Sequence, residues 1–260
     1  MMNITPVVKQ LLIINILFFI GTFVLGGFSM ESFNPYNPAF RILSLYFPEN
    51  PDFHIWQLIT HMFMHGGLMH IAFNMFALYS FGSTLEHFWG GKKFLFFYIS
   101  CGLGAALLHS GINFYTYQIG LNHLTDLGLE NQIQNFLKTG GMSFSVRPPD
   151  LDQQILHDMF FAYNMPVVGA SGAIYGLLAA FAFMFPNAEL ALMFIPVPIK
   201  AKYFVPGILA IDLFLGFKGQ SIFGAGSTGI AHFAHVGGAL TGFLMMWYWK
   251  KNQFNNNRWN

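Results

Sequence analysis

A serine and two histidines lie near the starts of two apolar stretches of the chain. Ser171 begins the run "SGAIYGLLAAFAFMF", and His232 and His235 lie in "GIAHFAHVGGALTGF". A serine hydroxyl is a poor nucleophile at neutral pH, so it needs a base within hydrogen-bond reach, and histidine usually supplies that base. These residue types predict an acyl-transfer site with Ser171 as the nucleophile and His235 as the base. His232 is the competing candidate for the base.

Small residues follow both candidate groups at a regular spacing. The first stretch contains Gly172-x-x-x-Gly176 and the second contains Gly238-x-x-x-Gly242. This spacing lets two helix backbones approach closely in lipid. His235 and the two glycines of the second motif occupy positions i, i+3 and i+7, so they share one stripe of a helix. We expect contact along this stripe to bring the imidazole of His235 to the hydroxyl of Ser171.

Donors for a developing oxyanion are present in a third apolar stretch. In "THMFMHGGLMHIAFNMF", His70 and Asn74 are separated by four residues and therefore lie on one helical face. Their side-chain N–H groups can stabilise the negative oxygen of a tetrahedral intermediate. Because Ser171 opens a helix, its own backbone N–H points outward at the positive end of the helix dipole.

Other interpretations of these residues remain open. A serine between glycine and alanine in a membrane helix is often a small packing residue. Five histidines are expected on one side of the membrane, namely His61, His65, His70, His232 and His235. Histidines can bind a metal ion, but no H-E-x-x-H motif is present, and we predict no metal. His61 and His65 are expected to bond loop backbone, and Asp212 and Glu86 are expected to make structural polar contacts.

The composition indicates a membrane protein. Of the 260 residues, 54% are hydrophobic and only 9% are charged, whereas soluble domains carry about 25% charged residues. The net charge of +1 and the absence of a basic stripe argue against nucleic acid as a partner. The single cysteine, Cys101, excludes an internal disulfide.

Six apolar segments predict an all-α membrane fold with six transmembrane helices in one domain, residues 1–260. The segments are roughly 8–28, 58–82, 93–112, 171–185, 203–217 and 229–249. Most approach the ~20 residues that cross a bilayer, and the first is expected to be a retained span. The fourth and fifth have only about 15 residues, which corresponds to ~22 Å of helix. The short fourth helix therefore begins at membrane depth and carries Ser171 there.

Lysine and arginine predict that both termini are cytoplasmic. This orientation places eight basic residues inside, namely Lys9, Lys92, Lys93, Lys200, Lys202, Lys250, Lys251 and Arg258. It places four outside, namely Arg41, Lys138, Arg147 and Lys218. The segments 29–57 and 113–166 are then long outer loops, and the second of them is amphipathic around "LGLENQIQNFLKTG".

The combined motifs resemble the rhomboid family of intramembrane proteases. Gly169-Ala170-Ser171-Gly172, with Tyr175 four residues on, is similar to the rhomboid GxSG motif. His70-x-x-x-Asn74 is similar to the rhomboid oxyanion pair. Ala234-His235-x-x-Gly238-x-x-x-Gly242 is similar to the helix of its general base. The resemblance covers nearly the whole chain except residues 113–166.

The resemblance implies a role for each of these residues. Ser171 and His235 would form a catalytic dyad without a third, acidic member, and Tyr175 would stack under the histidine. The oxyanion hole would consist of the Ser171 backbone N–H, His70 and Asn74. Gly82-x-x-x-Glu86 is similar to a structural motif of the family. The chain departs from some members at Trp56-Gln57, where they have Trp-Arg, so the first outer loop is expected to be anchored differently.

The resemblance also implies a function and a location. It implies a serine endopeptidase, without a cofactor, that cleaves transmembrane helices of single-span client proteins in the lipid bilayer. We expect a multi-pass protein of a bacterial plasma membrane. A catalytically inactive relative that binds client helices is the main alternative, and a transporter with a histidine-lined cavity is the second. The sequence identifies neither the client nor the oligomeric state.

Overall fold

The computed structural model describes residues 3–26, 37–142, 148–192, 195–218 and 230–253. Within these ranges the helices are α1 Pro6–Gly26, α2 Pro38–Leu43, α3 Gln57–Thr60, α4 Leu68–Ala77, α5 Ser83–Trp89, α6 Gly91–Asp126, α7 Glu130–Thr139, α8 Gln153–Asn164, α9 Ser171–Met184, α10 Ala201–Lys218 and α11 Ile230–Gln253. Strands β1 (Glu189–Leu192) and β2 (Ile195–Lys200) form an antiparallel hairpin between α9 and α10. Parts of the predicted first and sixth spans and of both outer loops lie outside the described residues, as do Arg147 and Arg258.

Among the described residues, two helices are long and apolar enough to cross a membrane by length and composition, α1 and α6. The 14-residue α9 is apolar but shorter, in agreement with the short helix predicted to begin at Ser171. The chain is mostly helical, as predicted, and the small hairpin is the exception. The count of six spans stays a prediction.

The predicted second span is broken rather than continuous. It consists of α3, a 3-10 turn over His61–Phe63, a non-helical stretch at 64–67, α4, a π-helical turn over Leu78–Gly82, and α5. The break coincides with Gly66 and Gly67, which have poor helix propensity. Single π turns inside helices are frequent at functional sites. The histidines at the outer end of this span therefore lie partly in turns.

Helix α6 is longer than the predicted third span. Its 36 residues correspond to about 54 Å, well beyond the ~30 Å hydrocarbon thickness of a bilayer. The segment predicted as a loop at 113–166 is largely helical, because α6 continues to Asp126 and is followed by α7 and α8. Tyr117 and Leu124 on α6 pack with Phe136 of α7 and Met159 of α8 in a separate hydrophobic cluster.

Helix α11 packs against α6 and α9, and its glycines bring it very close to α9. A Cβ atom on Gly238 would lie 1.8 Å from the backbone oxygen of Gly172, and one on Gly242 would lie 2.6 Å from the backbone oxygen of Gly176. Real Cβ atoms essentially never make such contacts. This confirms the predicted approach of the two helices along the glycine stripe.

Glu86 attaches α1 to α5. Its carboxylate accepts hydrogen bonds from the backbone N–H groups of Val7 (2.9 Å) and Val8 (2.8 Å), and from the hydroxyl of Thr5. These N–H groups are among the first of α1, which have no partner within the helix. An anion is also favoured at the N-terminus by the helix dipole. The predicted structural role of Glu86 agrees with these contacts.

Gln57 anchors the outer loop that precedes α3. Its buried side chain donates from Nε2 to the backbone oxygens of Asp52 (2.7 Å) and Arg41 (3.2 Å), and Oε1 accepts from the backbone N–H of Tyr46 (3.3 Å). The neutral amide both donates and accepts, whereas an arginine could only donate. This agrees with the expected difference in loop anchoring at Trp56-Gln57.

Candidate active site

The backbone before α9 presents Ser171 as the first residue of that helix. Gly169 has φ +121°, a conformation that residues with a Cβ atom rarely adopt. Its N–H donates to the backbone oxygen of His61 (2.9 Å), and two residues earlier Val167 forms an antiparallel bridge with Leu45. The entry to α9 is thus held by the outer loop and by the turn that contains His61.

The structure brings the predicted nucleophile and base together. His235 Nε2 lies 2.9 Å from Ser171 Oγ, although the two residues are 64 positions apart in the chain. This distance is within the range for proton transfer from the hydroxyl to the imidazole. The contact exists because the glycine stripe described above lets α11 approach the first turn of α9.

An acidic residue that the dyad interpretation did not include contacts the base from its other side. The Oδ1 atom of Asp212, on α10, is 3.2 Å from His235 Nδ1 and 2.5 Å from His232 Nδ1. An ionised carboxylate only accepts hydrogen bonds, so Nδ1 of His235 carries the proton. His235 Nε2 is then unprotonated and can accept the proton of Ser171.

His232 is placed by the structure beside Asp212 rather than beside the serine. Its ring centroid lies 6.2 Å from that of His235, and the two rings are nearly perpendicular. Its side chain is almost fully buried and donates to the Asp212 carboxylate. Of the two candidate bases, His235 is therefore the one whose ring contacts Ser171.

Tyr175 stacks on the imidazole of His235, in agreement with the expectation from the resemblance. The ring centroids are 4.2 Å apart and the planes differ by 6°. Tyr175 lies one helical turn after Ser171 on α9, so a single helix supplies both the nucleophile and the surface on which the base rests. The phenol is also close to Asp212. The stacked ring restricts the imidazole to the plane that contains both of its hydrogen bonds.

His70 lies beside the entry to α9 with a donor available. The N–H of Gly66 donates to Nδ1 of His70 over 3.4 Å, so Nε2 carries the proton of the neutral ring. A Cβ atom on Gly169 would lie 2.8 Å from this Nε2 atom. A glycine at 169 therefore leaves room for a His70 N–H group near Ser171, where an oxyanion donor is required.

Asn74 is buried on α4, four residues after His70. Its side-chain amide donates to the backbone oxygen of His70 (2.9 Å). Within the described part of the chain, none of the hydrogen bonds joins Asn74 to Ser171 directly. The structure thus brings His70 close to the serine and holds Asn74 one helical turn away. The oxyanion role of Asn74 stays a prediction.

The other two histidines of this region have structural contacts. His61 bonds through Nδ1 to the backbone oxygen of Gln57 (2.7 Å), as expected for a histidine that bonds local backbone. His65 is buried, and neither of its ring nitrogens has a hydrogen-bond partner within the described residues, which differs from the expected bond to loop backbone. Its ring meets that of His70 edge-on, with centroids 5.1 Å apart. Both residues thereby support the stretch that leads to His70.

Asp212, His232 and His235 have the donor types of a metal site, with their ligand atoms within 4.8 Å of one another. Zinc bound to such ligands lies about 2.0–2.2 Å from each donor atom, so two ligands on one ion are separated by more than 3 Å. The separation of 2.5 Å between Asp212 and His232 is that of a hydrogen bond instead. The prediction that the site uses no metal stays a prediction.

Comparison with known protein families identifies the chain. The family model of the rhomboid domain matches residues 52–129 and 151–252, which is more than half of the sequence. The chain belongs to the rhomboid family. The predicted resemblance is therefore confirmed.

Several curated rhomboid proteins are similar to this chain. The presenilin-associated rhomboid-like protein, mitochondrial, of Homo sapiens is 28% identical over 211 residues, and rhomboid protein 1, mitochondrial, of Saccharomyces cerevisiae is 25% identical over 199. Rhomboid protease GluP of Bacillus subtilis is 28% identical over 171 residues. The matches cover 80%, 75% and 62% of this rhomboid chain, but only 41%, 42% and 31% of the relatives.

These relatives support the coarse predictions of a membrane protein of the rhomboid protease type. They do not support the expected bacterial plasma membrane as the location, because the human and yeast relatives are both described as mitochondrial. The matches are to less than half of each relative's length. The activity, substrates and partners of this rhomboid chain are accordingly matters for proposal.

The residue whose contact with the base was missed from the sequence is Asp212. From the sequence, a structural polar contact is predicted for Asp212, although an ionisable residue within a membrane span is a functional candidate by default. Applied to the apolar fifth segment, this default identifies Asp212 as a functional candidate, together with the two histidines of the sixth segment.

Proposed function

We propose that this rhomboid chain is an intramembrane serine endopeptidase that cleaves transmembrane helices through Ser171 and His235. The observation that carries the proposal is the 2.9 Å contact between Ser171 Oγ and His235 Nε2. The stacked ring of Tyr175 and the nearby N–H group of His70 supply a support for the base and a donor for the oxyanion. The site contains the groups of an acyl-transfer reaction.

In the proposed reaction, His235 removes the proton of Ser171 as Oγ attacks the carbonyl carbon of the client. The negative oxygen of the tetrahedral intermediate is stabilised by the Ser171 backbone N–H, His70 and Asn74. His235 then gives the proton to the leaving amine, and water hydrolyses the acyl-enzyme. The proposed reaction requires water to reach Ser171, and the polar residues near the outer ends of the second and sixth predicted spans suit that requirement.

The proposed substrate is a single transmembrane helix that reaches the site from the lipid bilayer. Ser171 begins a helix of only 14 residues, so its hydroxyl lies below the membrane surface in the proposed six-span arrangement. A peptide bond within a helix is shielded by the helix itself. Residues that weaken the client helix, such as glycine and proline, should therefore favour cleavage nearby.

The two alternatives make different demands on the site. A catalytically inactive relative that only binds client helices requires neither the serine nor its contact with the base. A transporter requires a continuous polar path across the membrane, and Ser171 would be dispensable. The hydrogen bond from Ser171 to an imidazole whose other nitrogen faces a carboxylate favours a protease.

The decisive experiment uses the full chain in proteoliposomes with a fluorophosphonate probe and a reconstituted single-span client. Wild type is expected to be labelled and to cleave the client, and Ser171→Ala is expected to lose both, because loss of a nucleophile costs around 10⁶ in rate. Ser83→Ala, at a buried serine on α5, is the matched control and should retain both activities. Client cleavage by Ser171→Ala at the wild-type rate would refute the proposed function, and so would the absence of labelling in wild type.

A further inference from the structure

We propose that Asp212 is the positioning residue of the base, so that the site operates as Asp212–His235–Ser171 with His232 holding the carboxylate. The inference rests on the proposed function and deepens it. The three contacts form one continuous series that starts on α11, passes through α10 and returns to α11 before it reaches α9: His232 Nδ1 to Asp212 Oδ1, Asp212 Oδ1 to His235 Nδ1, and His235 Nε2 to Ser171 Oγ.

The burial of Asp212 determines which atoms donate in these hydrogen bonds. Its side chain is 5% exposed, and a buried carboxylate is costly unless hydrogen-bond donors compensate it. The two imidazole N–H groups of His232 and His235 are such donors. The carboxylate thus fixes both rings in the tautomer protonated at Nδ1. For His235, this is the tautomer that leaves Nε2 free to act on Ser171.

Asp212 also compensates the charge that develops on the base. During acylation the Ser171 O–H bond breaks, the bond from Oγ to the carbonyl carbon forms, and the proton bonds to His235 Nε2. The imidazolium that results lies 3.2 Å from the carboxylate, and because that carboxylate is buried, the attraction is stronger than in bulk water. The C–N bond then breaks and the same proton passes to the leaving amine, while Asp212 remains ionised throughout.

His232 has a distinct part in this arrangement. It donates to the same carboxylate oxygen that His235 uses, and its ring is almost perpendicular to that of His235. Its hydrogen bond therefore restricts the carboxylate and not the base itself. Replacement of His232 should weaken the alignment of Asp212 and reduce the rate by less than replacement of Asp212.

The test compares Asp212→Asn with wild type in the full chain, by steady-state cleavage and by the rate of fluorophosphonate labelling. The amide keeps the size of the side chain but loses its charge and can present a donor to His235. In a serine protease with a comparable triad this change lowers kcat by about 10⁴. We expect a fall in kcat of ~10²–10⁴ with KM unchanged, because the effect is confined to the transition state.

A spectroscopic measurement separates this role from a structural one. Nitrogen NMR of selectively labelled histidine should show His235 protonated at Nδ1 in wild type, and a loss of that single tautomer in Asp212→Asn. Val205→Ala, at a buried position of the same helix, is the control for helix packing. It should lower thermal stability while kcat and the tautomer of His235 remain unchanged.

The outcomes are distinct for the inference and for the function on which it rests. Labelling and cleavage by Asp212→Asn within twofold of wild type would overturn the inference alone. The inference would also fail if kcat fell in proportion to thermal stability in both Val205→Ala and Asp212→Asn, because a packing defect would then explain both losses. If wild type itself were not labelled, the proposed protease function would fail first.

Discussion

At the scale of single residues, the histidines of the site have different roles because their second ring nitrogens have different partners. His235 contacts a carboxylate through Nδ1 and the serine hydroxyl through Nε2, which suits a base. His70 accepts a backbone N–H at Nδ1, so its Nε2 is a donor, which suits an oxyanion hole. His61 is bound to the backbone of its own turn. The same residue type is thus placed to act as a base, as an oxyanion donor and as a structural contact in the proposed reaction.

Asn74 provides a test of the oxyanion hole at this scale. Its amide can stabilise the transition state more than the bound substrate, and removal of one such donor typically costs ~10²–10³ in kcat. We therefore predict that Asn74→Ala lowers kcat by this amount in the cleavage assay, with KM unchanged. Catalytic hydrogen bonds are often incomplete before substrate binds, so the present bond to the His70 backbone does not conflict with this prediction.

The result for Asn74 also distinguishes a donor from a substrate contact. A rise in KM with kcat unchanged would assign Asn74 to client binding instead. Asn15→Ala is a suitable control, because Asn15 is likewise buried and likewise donates to the backbone oxygen four residues earlier, Leu11, but lies on α1. It should leave kcat and KM at the wild-type values.

At the scale of secondary structure, the sequence predicted the elements that are strongly apolar and missed those that are amphipathic. The short α9 is predicted because its apolar run has only about 15 residues, and its contact with α11 follows from glycine spacing. The extension of α6 to Asp126 was missed, because its outer part is polar and resembles a loop. The contact of Asp212 with His235 was missed because spacing within one helix does not reveal which residues of two different helices face each other.

The contact between α9 and α11 yields a prediction at this scale. Even the single methyl group of Gly238→Ala would lie 1.8 Å from the backbone oxygen of Gly172, so the two helices must separate. A displacement of about 1 Å between reacting groups can cost ~10² in rate. Overpacking usually costs ~1–3 kcal/mol in stability. We predict that the cleavage rate of Gly238→Ala falls by at least ~10² and that its Tm in detergent is lower, although no catalytic group is changed.

The control for Gly238 must be a glycine with space around it. Gly237 is unsuitable, because a Cβ atom there would lie 2.8 Å from the backbone oxygen of Gly104 on α6. Gly111 of α6 has no atom within 4 Å of such a Cβ, so Gly111→Ala should keep full activity. Its Tm should be unchanged or higher, because alanine favours a helix over glycine by up to ~1 kcal/mol. Wild-type activity and Tm in Gly238→Ala would mean that the glycine contact does not set the geometry of the site.

At the scale of the whole molecule, α6 is long enough to connect the two sides of a membrane. Lys92 near its start and Asp126 at its end are both exposed, and the 34 positions from one to the other correspond to about 51 Å of helix. The hydrocarbon core is only ~30 Å thick. If α6 crosses the bilayer, the two positions must therefore lie on opposite sides. The greater number of lysines and arginines on the proposed inner side predicts that Lys92 is cytoplasmic and Asp126 is outside.

Cysteine accessibility can test this arrangement with little background, because the only native cysteine, Cys101, is fully buried. We predict that Asp126→Cys reacts with a membrane-impermeant maleimide in intact cells, and that Lys92→Cys reacts only after permeabilisation. The wild-type chain should remain unlabelled in both conditions. The opposite pattern would invert the proposed topology but keep α6 as a span. Labelling of both positions in intact cells would show that α6 does not cross the membrane, and the depth of Ser171 below the outer surface would then lose its basis.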